Sequence, residues 1–391
     1  IMAGRTQLII TGVALSLAAW GCGSDSPTTP KDAGAIADYL AALSYDSDGL
    51  LNVQDTGTSD VAREQVSSGS ESEAGKTCVT KTYNLKQNFD RGAILRPTAG
   101  VIYPGALVKA NPSMLDGVPE PVTLPRGPMT LSVDLPGMGD NGTIPVDSPT
   151  NSSVQAAVGK ALEWWNANAY RDGYVNAANS SYNLTTSFSS QQTAMDVGLN
   201  MSWATGDFEG KFSTFTSATK SVVTASFQQA FYTVTLDTPP RPGDVFAPSV
   251  SLAQVEQQMN SDAPPAYVSS VTYGRIIVMR METSSSYTNS EIQAAFNYGV
   301  GRLSAGGTLA ARYASILSSS QVEVITIGGN ASVASQLVDP AHLQEVITGE
   351  NAVYSRSNPG VPIAYTVRYL KDDSVARLGY TTEYTSRECG F

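Results

Sequence analysis

At 391 residues with 41% hydrophobic content, the chain has the length and the apolar material for a large core or for two to three folded bodies. Only 15% of its residues are charged and the net charge is −11, which argues against nucleic acid or an anionic membrane surface as a partner reached by bulk electrostatics. No lysine or arginine run supplies a basic patch, so nucleic acid is not an expected partner.

In chain order, residues 1–21 read as a signal peptide. Arg5 precedes an apolar run from Leu8 to Trp20 that is short for a membrane span, and small residues stand before Cys22. Cys22 directly after Gly21 resembles the lipidation signal of bacterial lipoproteins, with an ordinary secretory signal as the alternative. The first reading places the chain as an exported lipoprotein at an outer membrane or cell surface, or released from it. Residues 22–77 then hold a polar tether, "GSDSPTTPKD" (23–32), a short helix within 33–46, and a Ser/Gly/Glu-rich stretch at 57–76 that reads as an exposed loop. From Cys78 to Phe391 the chain reads as a folded core. "VGKALEWWNANAY" (158–170) has the spacing of an amphipathic helix, and "SLAQVEQQMNS" (251–261) reads as another. "TASFQQAFYTVTLD" (224–237) and "YGRIIVMRMET" (273–283) read as strands. Helices and strands interleave without the regular alternation of a doubly wound sheet, so the fold class is α+β.

One stretch resists simple assignment. In "TAMDVGLNMSW" (193–203) the residues Met195, Val197, Leu199, Met201 and Trp203 alternate strictly with small or polar ones, the pattern of a strand with one apolar face. Yet Val197 is the only β-branched residue in that alternating run, and alanine, methionine and leucine suit a helix better.

Enzyme chemistry has little to build on. The only histidine, His342, follows "DP" at the start of a helix candidate, where a surface or capping role is expected. A single histidine rules out a His-cluster zinc site and leaves a Ser-His-Asp triad without context. Nucleophile-elbow, phosphate-loop and dinucleotide fingerprints are missing, and nothing singles out a carboxylate pair, so no catalytic residue, metal or cofactor is expected. The "EWW" at 163–165 reads as core packing of a helix. Beyond Cys22, the cysteines are Cys78 and Cys389. They form either a disulfide or two free thiols; an oxidising compartment favours the disulfide, which would constrain the unfolded chain by roughly 5 kcal/mol.

The stretch "PPAYVSSVTYGRIIVMRMETSSSYTNSEIQAAF" (264–296) resembles the signature region of the cholesterol-dependent, thiol-activated cytolysins. "YPGAL" (103–107), "LSVDLPGM" (131–138), "QQAFYTVTLDTPPRPGDVF" (228–246), "IGG" (327–329), "PIAYTVRYLKDDSVA" (362–376) and "TEYTS" (382–386) agree with that family in order. The resemblance runs from about 78 to 386. It implies a central bent antiparallel sheet flanked by two helical clusters, of the MACPF/cytolysin type. Those clusters would convert to amphipathic β-hairpins that neighbouring subunits join into a barrel. The clusters would be Thr193–Ala218 and Glu291–Ser319. A segment that is helix in one state and strand in the other needs compromise residues, which accounts for the odd composition of 193–203.

On this template the lipid face of the first hairpin is Met195, Val197, Leu199, Met201 and Trp203, returning through Phe208 and Phe212 after a turn at "ATGD" (204–207). The second carries Ala294, Phe296, Tyr298 and Val300, returning through Leu309, Ala311 and Tyr313. Gly328 and Gly329 match a glycine pair at which the family's terminal sheet strand hinges away. Tyr182 fits the first of two aromatics that stack between subunits, whereas Val322 occupies the second place and departs from the pattern. Cys78 and Cys389 fall on segments of the elongated region that can lie side by side. The chain stops about where the family's membrane-recognising, sterol-binding β-sandwich would begin, which implies a short form lacking it. The expected function is a component of a pore-forming toxin that assembles with copies of itself, and with a longer cytolysin-like partner, on a target lipid membrane. The rival reading is a non-lytic lipoprotein that regulates or caps assembly of such a partner.

Overall fold

The computed structural model describes residues 32–73, 75–95, 100–200, 214–284, 287–328, 336–337, 339 and 342–390. Its strands are β1 (Val61–Glu73), β2 (Lys76–Phe89), β3 (Gly92–Ala93), β4 (Leu107–Lys109) and β5 (Glu120–Pro121). They continue with β6 (Met129–Val133), β7 (Thr143–Val146), β8 (Asn179–Thr186), β9 (Lys220–Leu236) and β10 (Pro265–Ser284). The last four are β11 (Gln321–Ile327), β12 (Gln336–Leu337), β13 (Val361–Tyr369) and β14 (Leu378–Gly390). The helices are α1 (Ala33–Ala42), α2 (Ser47–Leu50), α3 (Asn151–Ala167) and α4 (Ser190–Asp196). They are followed by α5 (Leu252–Gln258), α6 (Asn289–Gly299), α7 (Gly307–Ser318) and α8 (Leu343–Ile347).

β10 organises the larger sheet. Its side chains are buried almost throughout, because both faces are covered, and its sequence accordingly carries the apolar run Ile276–Met279, with buried polar residues such as Thr272, Arg275 and Arg280 among the rest. On one flank it pairs β13 from Ala266 to Gly274 and then β11 from Ile276 to Glu282. On the other flank it pairs β9, which in turn pairs β6 in its lower part and β8 in its upper part. The register shifts between Tyr273 and Gly274, where β10 exchanges one neighbour for the next. A Cβ on Gly274 would stand 1.9 Å from the Gln229 carbonyl oxygen, so only glycine fits at this bend.

The lower half of this sheet carries the largest core. α3 lies on it with a Thr150–Ser153 capping box at its start and Trp165 wholly buried, the indole Nε1 donating to the Pro136 carbonyl at 2.7 Å. The α1 residues Ile36 and Leu40 join the same core.

A second, three-stranded antiparallel sheet runs β1–β2–β14. It corrects the expectation of a loop at 57–76. β1 pairs β2 from Val61–Gln87 to Glu73–Lys76, and the folded body therefore begins well before Cys78. β1 is an edge strand whose residues are almost all exposed on both faces. Such a strand needs no apolar alternation, and its glutamates and serines discourage further edge pairing.

Candidate functional site

The upper half of the large sheet, β8–β9–β10–β11, carries a helical segment on each face. Successive side chains of a strand alternate between the faces, so each strand contributes to both coverings.

On one face lies α4. Ser189 and Gln192 form its capping box, and the wholly buried Gln192 amide also donates to the Thr186 carbonyl at 3.1 Å and to Asp196 Oδ2 at 2.6 Å. Asp196 accepts from Thr185 Oγ1 at 2.9 Å and pairs with Arg63 of β1, which fastens α4 to the smaller sheet. Phe188 stacks on Tyr384, and Thr382 donates to Gln191, on the β14 side of the same contact. Met195, Val197 and Leu199 are all fully buried. Met195 joins the core beneath β13 and β14, while Val197 and Leu199 pack on Ile276, Val278 and Ile325. Of the helical cluster expected over 193–218, the described residues show α4, which ends at Asp196, after which Gly198 and Asn200 take positive φ values of 73° and 47°. Met201, Trp203, Phe208 and Phe212 lie outside the described residues.

On the other face lie α6 and α7. Thr288 caps α6, accepting from the Glu291 amide at 3.3 Å while Glu291 Oε2 accepts from the Thr288 amide at 2.9 Å. That backbone hydrogen bond, aided by Arg312, holds the Glu291 carboxyl below its ordinary pKa. Phe296 and Val300 of this segment, with Tyr313 of α7, are buried against Val223, Phe227, Met279 and Val324. Ala294 and Tyr298 are half-buried, whereas Leu309 and Ala311 are exposed. Tyr298 and Tyr313 rings lie 5.7 Å apart, and Arg312 forms an ion pair with Glu291.

At the edges, β12 pairs β11 through Glu323–Leu337 and Val324–Gln336 and so covers part of its free side. Gly328 follows β11 with φ 77°, and a Cβ there would stand 2.7 Å from the Gly274 carbonyl oxygen. Gly329 lies outside the described residues. Tyr182 sits on the opposite edge strand, β8. Its hydroxyl donates to Asn297 Oδ1 at 2.7 Å, Phe227 lies 4.7 Å away, and the Arg302 guanidinium covers its ring at 4.3 Å. Burial raises the Tyr182 pKa well above its usual value. Val322 is buried beneath the second helical segment, opposite Met281. Cys22 lies outside the described residues, while Cys78 and Cys389 face each other across β2 and β14 and are joined by a disulfide. His342 is an exposed residue at the start of α8, 3.5 Å from the Asp339 carboxylate.

Two features escaped the sequence reading. Gly274 and Gly360 pack backbone to backbone, a Cβ on Gly360 reaching 2.8 Å from the Gly274 nitrogen, and a lone glycine inside a strand pattern is the signal that could have found the first. Arg275, 1% exposed, donates to Gln229 Oε1 at 2.5 Å and to the Val346 carbonyl at 2.8 Å, and Gln229 donates to the Ile347 carbonyl at 2.8 Å. This pair pins the end of α8 onto the sheet, and no local motif announces it.

This fold, an antiparallel sheet with one helical segment on each face of its upper half, is shared with solved cytolysin structures. The chain aligns with crystal structures of listeriolysin O (TM-score 0.76, 27% identity, 93% of this chain and 75% of that one) and of the human-specific toxin intermedilysin (TM-score 0.75, 28% identity, 92% and 75%). The family profile of the thiol-activated cytolysins matches residues 35–388, and the chain belongs to that family, one of cytolysins and not of enzymes. Tetanolysin of Clostridium tetani is 36% identical over 285 residues, covering 72% of this chain and 53% of the relative. Alveolysin of Paenibacillus alvei is 31% identical over 388 residues, covering 97% and 75%. The chain spans about half the length of tetanolysin and of streptolysin O of Streptococcus pyogenes.

Proposed function

We propose that this chain is a pore-forming component that assembles into a ring and inserts two β-hairpins per subunit into a target membrane, built from the segments that carry α4 and α6–α7. Cytolysin relatives make this the natural reading, and one observation from the chain itself supports it. The side chains of β8 that face α4 are odd-numbered: Asn183 donates to the Val197 carbonyl and Thr185 to Asp196. Those of β9 are even-numbered, Ser226 donating to the Val197 carbonyl and Gln228 to that of Gly198. The same face takes Ile276 and Val278 from β10 and Ile325 from β11.

If each strand continues into its hairpin leg without a slip, parity is inherited. The odd-numbered Met195, Val197, Leu199, Met201 and Trp203 then extend β8 on that face. Phe208 and Phe212 extend β9 on it, Ala294, Phe296, Tyr298 and Val300 extend β10, and Leu309, Ala311 and Tyr313 extend β11. With the first leg fixing the face, each of the other three had an even chance of pointing the wrong way. All four apolar stripes fall on one side, as a barrel wall in lipid requires.

The test uses the full chain held on phosphatidylcholine–cholesterol vesicles by a hexahistidine tag and a nickel-chelating lipid, with Cys78 and Cys389 left paired. Environment-sensitive dyes on single cysteines from 292 to 300 should alternate between apolar and aqueous signals as entrapped dye leaks. A period near 3.6 residues in the bound state would mean that the segment stays helical, and the reading would fail.

A further inference from the structure

We propose that Glu291 and Arg312 are partners both in the helical state and in the inserted hairpin, and that this retained ion pair sets the register of the second hairpin. The proposal rests on the pore-forming reading above and adds to it a pair of positioning residues.

The carrying observation is the ladder between β10 and β11. From Ile276–Ile327 to Glu282–Gln321 every step forward on β10 is matched by one step back on β11, with no irregularity. Continued past the present end of the sheet, the same ladder sets Glu291 directly opposite Arg312, nine residues beyond Glu282–Gln321. These are the two residues already paired across α6 and α7, in the one ion pair that joins those helices among the described residues. Helix packing has no need to choose the partners that a hairpin register would choose. Another α6–α7 contact shows this, since Tyr298, whose ring now lies 5.7 Å from that of Tyr313, would lie opposite Ala305, and Tyr313 opposite Ser290.

Three features agree with the continued ladder. The strands would meet at Gly301–Arg302, and Gly301 already has φ 75°, the positive sign that the first position of a two-residue hairpin turn demands. The β8–β9 ladder, continued in the same way from Thr186–Val223, closes at Ala204–Thr205, inside the "ATGD" turn read from the sequence. The β9–β10 ladder, continued from Ser284–Lys220, sets Ala204 beside Val300, so both hairpins end at nearly the same depth. In this register Glu291 and Arg312 point away from the apolar face, to the water-filled side where a cross-strand pair of opposite charges is favourable.

The experiment compares two ties in the full chain, on the tagged-protein vesicles described above. Glu291→Cys with Arg312→Cys, joined by a short bismaleimide, fixes a contact that persists. Tyr298→Cys with Tyr313→Cys, joined likewise, fixes a contact that must open to about 26 Å in the hairpin. The first tied chain should leak dye as fast as its untied form, and the second should lose leakage. Either Glu291→Arg or Arg312→Glu alone should slow leakage, and the two together should restore it, with helix content checked by circular dichroism. Leakage lost on tying 291 to 312, and by the other tie as well, overturns the retained pair and leaves the hairpin reading standing. Leakage kept with 298 tied to 313 means that α6 and α7 never separate, which overturns the hairpin reading and the pair with it. An untied chain that does not leak removes both.

Discussion

Arg275 is a buried cation held by neutral oxygens, those of Gln229 and of the Val346 carbonyl near the C-terminal end of α8, where the helix dipole favours positive charge. Burial lowers its pKa to about 10, so it stays protonated at neutral pH. Gln229 closes the arrangement by donating to Ile347. Removing the glutamine amide would leave the Arg275 Nε and the Ile347 carbonyl buried and unpaired together. Gln229→Leu, close in volume, should therefore cost about 3 kcal/mol, since hydrogen bonds to charged groups are worth roughly 1.5–3 kcal/mol and an orphaned carbonyl adds to that. Urea unfolding measures it. Arg275→Lys keeps the charge but cannot fork to both oxygens, and should fall between the wild type and Gln229→Leu. A midpoint unchanged in Gln229→Leu would mean that α8 is not anchored through this pair.

Among elements, α7 offers the cleanest separation of soluble-state from inserted-state effects. Leu309 and Thr308 are neighbours in its first turn and both are exposed, so a lysine at either perturbs the soluble helix equally. In the proposed hairpin Leu309 lies level with Leu199 in the middle of the lipid face, while Thr308 faces water. Leu309→Lys should then cost about 2–4 kcal/mol per subunit on insertion and abolish vesicle leakage, while Thr308→Lys leaks normally. Matching melting curves for the two variants, beside equal leakage, would defeat the assignment of faces. How far such elements are legible in the sequence depends on how many environments each must satisfy. β9 and β10 are plain, because β-branched and aromatic residues recur along both of them and two covered faces favour such residues. The 193–203 stretch carries a strand's period in helix-compatible residues, a conflict that the proposed hairpin would account for. β1 was not legible, since an edge strand wet on both faces has no pattern to read. Nor was the Arg275 clamp, whose parts come from three separate segments of the chain.

For the molecule as a whole, the disulfide between Cys78 and Cys389 ties the beginning of β2 to the end of β14, closing a loop of 311 residues that contains the entire large sheet. The two strands are already paired from Leu378–Phe89 to Gly390–Thr77, and Tyr83, Tyr380 and Tyr384 pack the stretch away from the cysteines onto the core. Toward the cysteines the support thins. There Arg387 pairs with Glu71 of the exposed edge strand, and the buried Cys78 is one of few side chains shielded from water. The bond therefore acts less on the folded sheet than on the unfolded chain, whose ends it holds together. Loop-closure entropy for so long a loop is worth about 5 kcal/mol. If both sheets unfold as one body, reduction should lower the melting temperature by several degrees, and Cys78→Ser with Cys389→Ser should reproduce that without reductant. If instead the small sheet frays alone, reduction would speed amide exchange near residues 76–80 and 386–390 while the main transition stays in place. Calorimetry with and without reductant separates the two, and an unmoved main transition would refute the single-body expectation.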